Sequence, residues 1–141
     1  MAEADIIQDL RAHLLADTNV AAEVGAHVYG DALPRAAVAA MPQAALVIEL
    51  SGGVSLAAGT WSQHDTQRVD VIAWGTTPER AAHLAALARR SLAAIRRQLI
   101  GSVLVHWAEP AGGASKARDP DGRWAIVRRP YQIFHATEEA A

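Results

Sequence analysis

The stretch "VDVIAWGTTPERAAHLAALARRSLAAI", which begins at Val69, changes its periodicity within a few residues. Val69, Val71 and Ala73 alternate with Arg68, Asp70 and Ile72, the pattern of a strand with one face better buried than the other. From Thr77 to about Ile100, Leu84, Leu87, Ala88, Leu92, Ile95 and Leu99 recur at three- and four-residue steps, which predicts one amphipathic helix ended by Gly101. A strand that leads directly into a long helix requires sheet and helix to share a core. At the junction, Gly75-Thr76-Thr77 admits two readings. Free N-H groups and the positive dipole end of a helix favour a phosphate. A helix cap accounts for the same residues without a ligand: Thr77 would put Pro78 first in the helix, and Thr76 would put Glu79 three residues on, as a capping box needs. Neither GxxxxGK[ST] nor GxGxxG occurs, and the only lysine, Lys116, lies far downstream, so the capping reading is preferred.

The remaining chain reads as alternating short elements. Asp5 with Gln8 forms a capping box, and Ile6, Ile7, Leu10, Leu14 and Leu15 place a helix over residues 5 to 17. A short helical piece ended by Gly25 follows, then an extended segment at Val28-Tyr29, then a linker between Pro34 and Pro42. "AALVIEL", residues 44 to 50, is apolar on both faces and suits an internal strand. "SGGVSLAAGTWSQHDTQ" suits a long hairpin connection, "SVLVHWAEP" a strand, and "AGGASKARDPDG" a turn-rich excursion. "RWAIVRRPYQIFHA" suits a last strand that Pro130 would force to an edge or a bulge, before a frayed tail over 136 to 141. The fold expected is α+β: a largely antiparallel sheet of four to five strands with two main helices on one face, in a single domain spanning 1 to 141.

Function is constrained mostly by what the motifs lack. With 141 residues and 51% hydrophobic composition the chain supports one core, and without cysteine it has neither disulfides nor thiolate metal sites. The acidic N-terminus and the lack of a membrane-length apolar run point to a soluble, unexported protein. His13, His27, His64, His83, His106 and His135 have no HxxxH or HExxH spacing, so scattered surface or strand histidines are expected and no metal. Asp119-Pro120-Asp121-Gly122 fails as a calcium loop because Pro130 stands where the closing glutamate belongs. GxSxG is absent, and no catalytic residue, cofactor or enzymatic activity is expected.

Arginines make up almost all of the 13 basic residues, although the formal net charge is −2. Arg89, Arg90, Arg96 and Arg97 would form two outer rows of the long helix, seven residues apart, as a solvated face or a contact with acidic groups or DNA phosphates. Lys116, Arg118 and Arg123 cluster in the excursion beside Asp119 and Asp121, which can neutralise them. Trp74, Trp107 and Trp124 suit core or sheet positions, whereas Trp61 in the polar connection marks a contact surface.

Taken together, "LRAHLLADTNVAAEVGAHVYGDALP", "MPQAALVIEL", "QRVDVIAWGTTPERAAHLAALARRSLAAI" and "RWAIVRRPYQIF" give a chain that resembles the tail-completion or tail-terminator family of long-tailed phages and phage-like particles. The similarity is one of pattern over most of the chain, with the 111 to 122 excursion outside it. It implies a homo-oligomer, typically a hexameric ring, that caps the tail tube, stops its polymerisation and joins it to a head connector or adaptor protein. It further implies a virion structural protein of a bacteriophage or gene transfer agent, made in the bacterial cytoplasm and placed at the neck. DNA would pass only transiently through its lumen, and no membrane is involved. Candidate contact residues are Trp61 and His64 in the 51 to 66 connection and Lys116, Arg118 and Arg123 in the excursion. The alternative is a small DNA-binding or phosphate-ligand-binding adaptor domain.

Overall fold

The computed structural model describes residues 4–52, 64–119 and 124–139. Helix α1, Ile6–Ala16, starts where the Asp5 carboxylate accepts a bond from the Gln8 amide, and it buries Ile6, Ile7, Leu10 and Leu14. Asp17 caps α2, Thr18–Val24, in the same manner, and Gly25 at φ +60° ends it. Strand β1, Val28–Gly30, precedes a short helix α3, Arg35–Ala39, inside the segment expected to be a linker. Then come β2, Ala45–Gly52, β3, His64–Gly75, and helix α4, Pro78–Ala93. Strands β4, Gln98–Ile100, β5, Val103–Pro110, β6, Ser115–Arg118, and β7, Ala125–Ala136, complete the chain.

The α+β class holds, but the sheet is larger than expected and mixed. Among the described residues seven strands form one sheet in the order β1-β2-β3-β7-β5-β4, with β6 also paired to β7, and β1 lies parallel to β2 while every other pairing is antiparallel. Strand β1 is the extended segment expected at Val28-Tyr29, whereas the additional strands β4 and β6 are three and four residues long, too short to show a period of two. The sheet curves enough for α1 to touch both β1 and β4, at opposite ends of that order.

Helix α4 ends at Ala93, earlier than the apolar stripe predicts. Arg97 adopts φ 37° and its amide donates to the His106 carbonyl (2.9 Å), which diverts the chain into the β4–β5 hairpin. Ile95 is still fully buried, whereas Leu99 is 60% exposed on β4. Gly101, at φ +61°, therefore turns this hairpin rather than ending the helix.

Strand β7 is central. It pairs with β3 along its whole length and, on its other side, with β6 near its start and β5 near its end. Pro130 thus lies in an interior strand, which rules out the edge among the two expected alternatives of an edge or a bulge. Its carbonyl accepts from the Ala111 amide (2.9 Å), so the missing N-H points to the same side, where residues 111–114 leave the ladder between β5 and β6. The excursion is accordingly the continuation of the β5–β7 hairpin, closed by Asp119 N-H donating to the Trp124 carbonyl.

Helices α1, α2 and α4 bury one face of the sheet over a core that includes Leu46, Ile48, Val69, Val71, Val127 and Ile133. A smaller cluster on the other face joins Ala45, Val47, Ile72 and Trp74 to Leu33 and Met41 beside α3, with Trp124 against it. Alternate residues of β2 enter the two clusters, which is why that strand is apolar on both faces.

Candidate interaction surfaces

At the Gly75-Thr76-Thr77 junction the structure shows the cap. Thr77 Oγ1 accepts from the Arg80 amide (3.2 Å), with Pro78 at the first helical position. A Cβ on Gly75 would stand 2.5 Å from the Ala81 amide nitrogen. Close approach of the strand end to the helix therefore explains the glycine.

The expected basic helix face is halved. Arg89 and Arg90 are exposed on α4, but Arg96 and Arg97 lie beyond its end. Arg96 folds back so that its guanidinium donates to the Ala93 and Ile95 carbonyls, satisfying groups that every helix end leaves open. Arg89 instead acts with Arg129 on Tyr131, whose buried hydroxyl is pushed up to about 12 by desolvation, with the two arginines opposing that rise.

The sheet face turned away from α1, α2 and α4 carries two groups that sequence reasoning missed. Arg128 Nη1 on β7 donates to Glu49 Oε1 on β2 (2.7 Å) and Asp70 Oδ2 on β3 (2.8 Å). The bond to Glu49 raises the guanidinium pKa most; burial acts against it and Asp70 adds to it. Further along, the His106 ring stacks on Phe134 (centroids 4.7 Å apart) and lies 4.7 Å from His64, while Trp107 is 5.7 Å from Phe134. A bulge between Val105 and Trp107 inserts His106 as an extra residue, so that two successive side chains meet one phenyl ring. Burial, followed by the charges of His64 and Arg97, lowers the His106 pKa. Regular alternation gives no sign of such a bulge.

Of the candidate contact residues, Lys116 and Arg118 come together on the exposed strand β6, beside a hollow of about 260 Å³ that Pro78 and Ile126 also line. His64 is at the other end of the β3–β7 ladder, opposite Ala136, and does not join them. Trp61 and Arg123 lie outside the described residues. A second hollow, of about 370 Å³, occupies the His64 end, where Asp5, Asp65, Leu50 and His135 line it. Close by, burial raises the Asp9 pKa, and the charges of Asp5 and Glu139 add to the effect.

The other histidines have local roles. His13 Nε2 is 3.1 Å from the Ser91 carbonyl, His27 Nδ1 is 2.8 Å from the Tyr29 hydroxyl, and His83 is 3.7 Å from Glu23. Among the described residues no three His, Cys, Asp or Glu side chains are grouped to hold a metal ion, and no helix is long and apolar enough to cross a membrane.

Neither a protein-family model nor a curated protein matches the chain. Among solved structures 24 chains match. One belongs to the structure described as "Virion of native gene transfer agent (GTA) particle": it is 18% identical, with 96% of this chain and 95% of that one covered at a TM-score of 0.61. The two chains share a fold. The likeness runs through nearly the whole of both chains.

Proposed function

We propose that this chain is a structural subunit of a phage-like particle. In that role it forms a ring on the end of the tail tube, terminates tube polymerisation and joins the tail to the head connector at the neck. The observation that carries the reading is the end-to-end fold likeness to a chain of a gene transfer agent virion. The tail-capping role comes from the sequence resemblance, and the exposed strand β6 supports it by offering an edge outside the core for subunit contact. The role is structural rather than enzymatic, and its partners are further copies of the chain, the tail-tube protein and the connector.

The test is co-assembly with the tail-tube protein of the same particle. Electron micrographs are expected to show tubes that stop growing once the chain is added, each with a ring at one end. Tubes that elongate unchanged and carry no ring would refute the capping role.

A further inference from the structure

Arg129 and Tyr131 share the helix-covered face of β7 and lie two residues, about 7 Å of strand, apart. The ladder beside them is open. Strand β5 last pairs at Pro110 with Tyr131 and β6 first pairs at Ser115 with Arg128, so no described residue is paired with Arg129 on that side. The connecting residues 111–114 lean the other way: a Cβ on Gly112 would stand 3.3 Å from the Pro130 ring, and Pro130 alternates onto the opposite face. Arg89 borders the same gap from α4. His83 and Ser91 mark the flank of that helix that meets Glu23 of α2 and His13 of α1, and Arg89 is on the other flank, toward β7.

The chain leaves these groups unsatisfied. Tyr131 is 1% exposed, and its hydroxyl has no hydrogen-bond partner among the described residues, a costly state for a buried polar group. With its pKa pushed up to about 12 by burial, against the charges of Arg129 and Arg89, the phenol keeps its proton at neutral pH and can donate it to an acceptor. Neither arginine is in an ion pair among the described residues, in contrast to Arg128, which holds Glu49 and Asp70. Two guanidiniums and one buried donor match a doubly charged anion with three or four oxygens. A single carboxylate would compensate only one of the two charges.

We propose that Arg89, Arg129 and Tyr131 form a binding site for a phosphate-type oxyanion at the break between β5 and β6. The site is separate from the capped helix start, since Arg89 is roughly 18 Å along α4 from Thr77. It goes beyond the ring reading above and does not rest on it.

Calorimetric titration of the full chain with inorganic phosphate, at an ionic strength held constant with chloride, tests the site. The unaltered chain is expected to bind phosphate in preference to acetate. R89Q and R129Q should each weaken binding at least about tenfold, and Y131F about tenfold. Y131F has a second readout: because the hydroxyl it removes is unpartnered, its phosphate-free thermal midpoint should stay unchanged or rise, while the added stability that phosphate gives the unaltered chain should be lost. T77A should bind phosphate as the unaltered chain does.

A chain that does not bind phosphate, equal binding of acetate, or phosphate binding that survives in folded R89Q overturns the proposal. Loss of binding in T77A assigns the anion to the helix start and overturns it as well. Should R129Q fail to fold by circular dichroism, R89Q, at an exposed position, decides. Short duplex DNA added to the phosphate-loaded chain separates the two sources of such an anion. Displacement of phosphate gives the site to nucleic-acid phosphodiesters, and retention gives it to free phosphate.

Discussion

Single residues hold the junction between β3 and α4 together. Gly75→Ala places a methyl group against the Ala81 backbone, which cannot yield as a side chain can, so a loss of about 1–3 kcal/mol is expected in urea unfolding. Thr77→Ala removes the side-chain cap and is expected to cost about 1 kcal/mol, again from the urea midpoint. If inorganic phosphate stabilised the native chain and either substitution removed that effect, the discarded ligand reading would return. His106 acts through pH. Its folded-state pKa is depressed, so the unfolded chain binds the proton more readily. The contribution is therefore present above the unfolded value near 6.5 and lost as pH falls through the folded value. Thermal melts between pH 8 and roughly 5 should show a decline that His106→Gln makes shallower, and equal slopes would refute the assignment.

Elements tell the helix-length question apart from the apolar pattern. Ile95→Ala, in a fully buried position after the last turn of α4, is expected to cost about 2–5 kcal/mol. Leu99→Lys, on the exposed strand β4, should change stability by less than about 0.5 kcal/mol in the same urea titration. A helix continuing to residue 100 would make both severe. Helix α1, the Asp5 cap, the strand at 44 to 50 and a threonine cap at 76 or 77 were all legible in the sequence, because each is set by neighbours within a few residues, and the structure chose Thr77. The end of α4 was not, since Ile95 and Leu99 keep helical spacing while the diversion depends on the His106 carbonyl, brought back by the β4–β5 hairpin. Strands of three or four residues carry no readable period, and the place of Pro130 depends on where two other strands break.

Across the whole molecule the two ends of the described chain are tied together. The Ala4 amide donates to the Thr137 carbonyl (2.9 Å), next to the acidic hollow, so the segment expected to fray from residue 136 is anchored through Thr137. Deleting residues from Thr137 onward is expected to lower stability by about 1 kcal/mol, and an unchanged urea midpoint would mean that the tie contributes nothing. Of the surface groups, the clustering of Lys116 and Arg118 was readable because they are two residues apart on one strand. The Arg128 bridge and the His64, His106 and Phe134 group were not, since their members are dispersed over more than half the chain.

The amino-acid sequence by itself determined the α+β class, the caps that start α1 and α4, the two-faced burial of β2 and the absence of known catalytic spacing motifs. These depend on local periodicity and on the chemistry of adjacent residues. Only the tertiary structure decided the seven-strand order, the early end of α4, the interior place of Pro130 and the two hollows at opposite ends of β7. Each of those depends on which distant backbone groups pair, and pairing across long loops is selected by the energy of the assembled core rather than by any short stretch of chain.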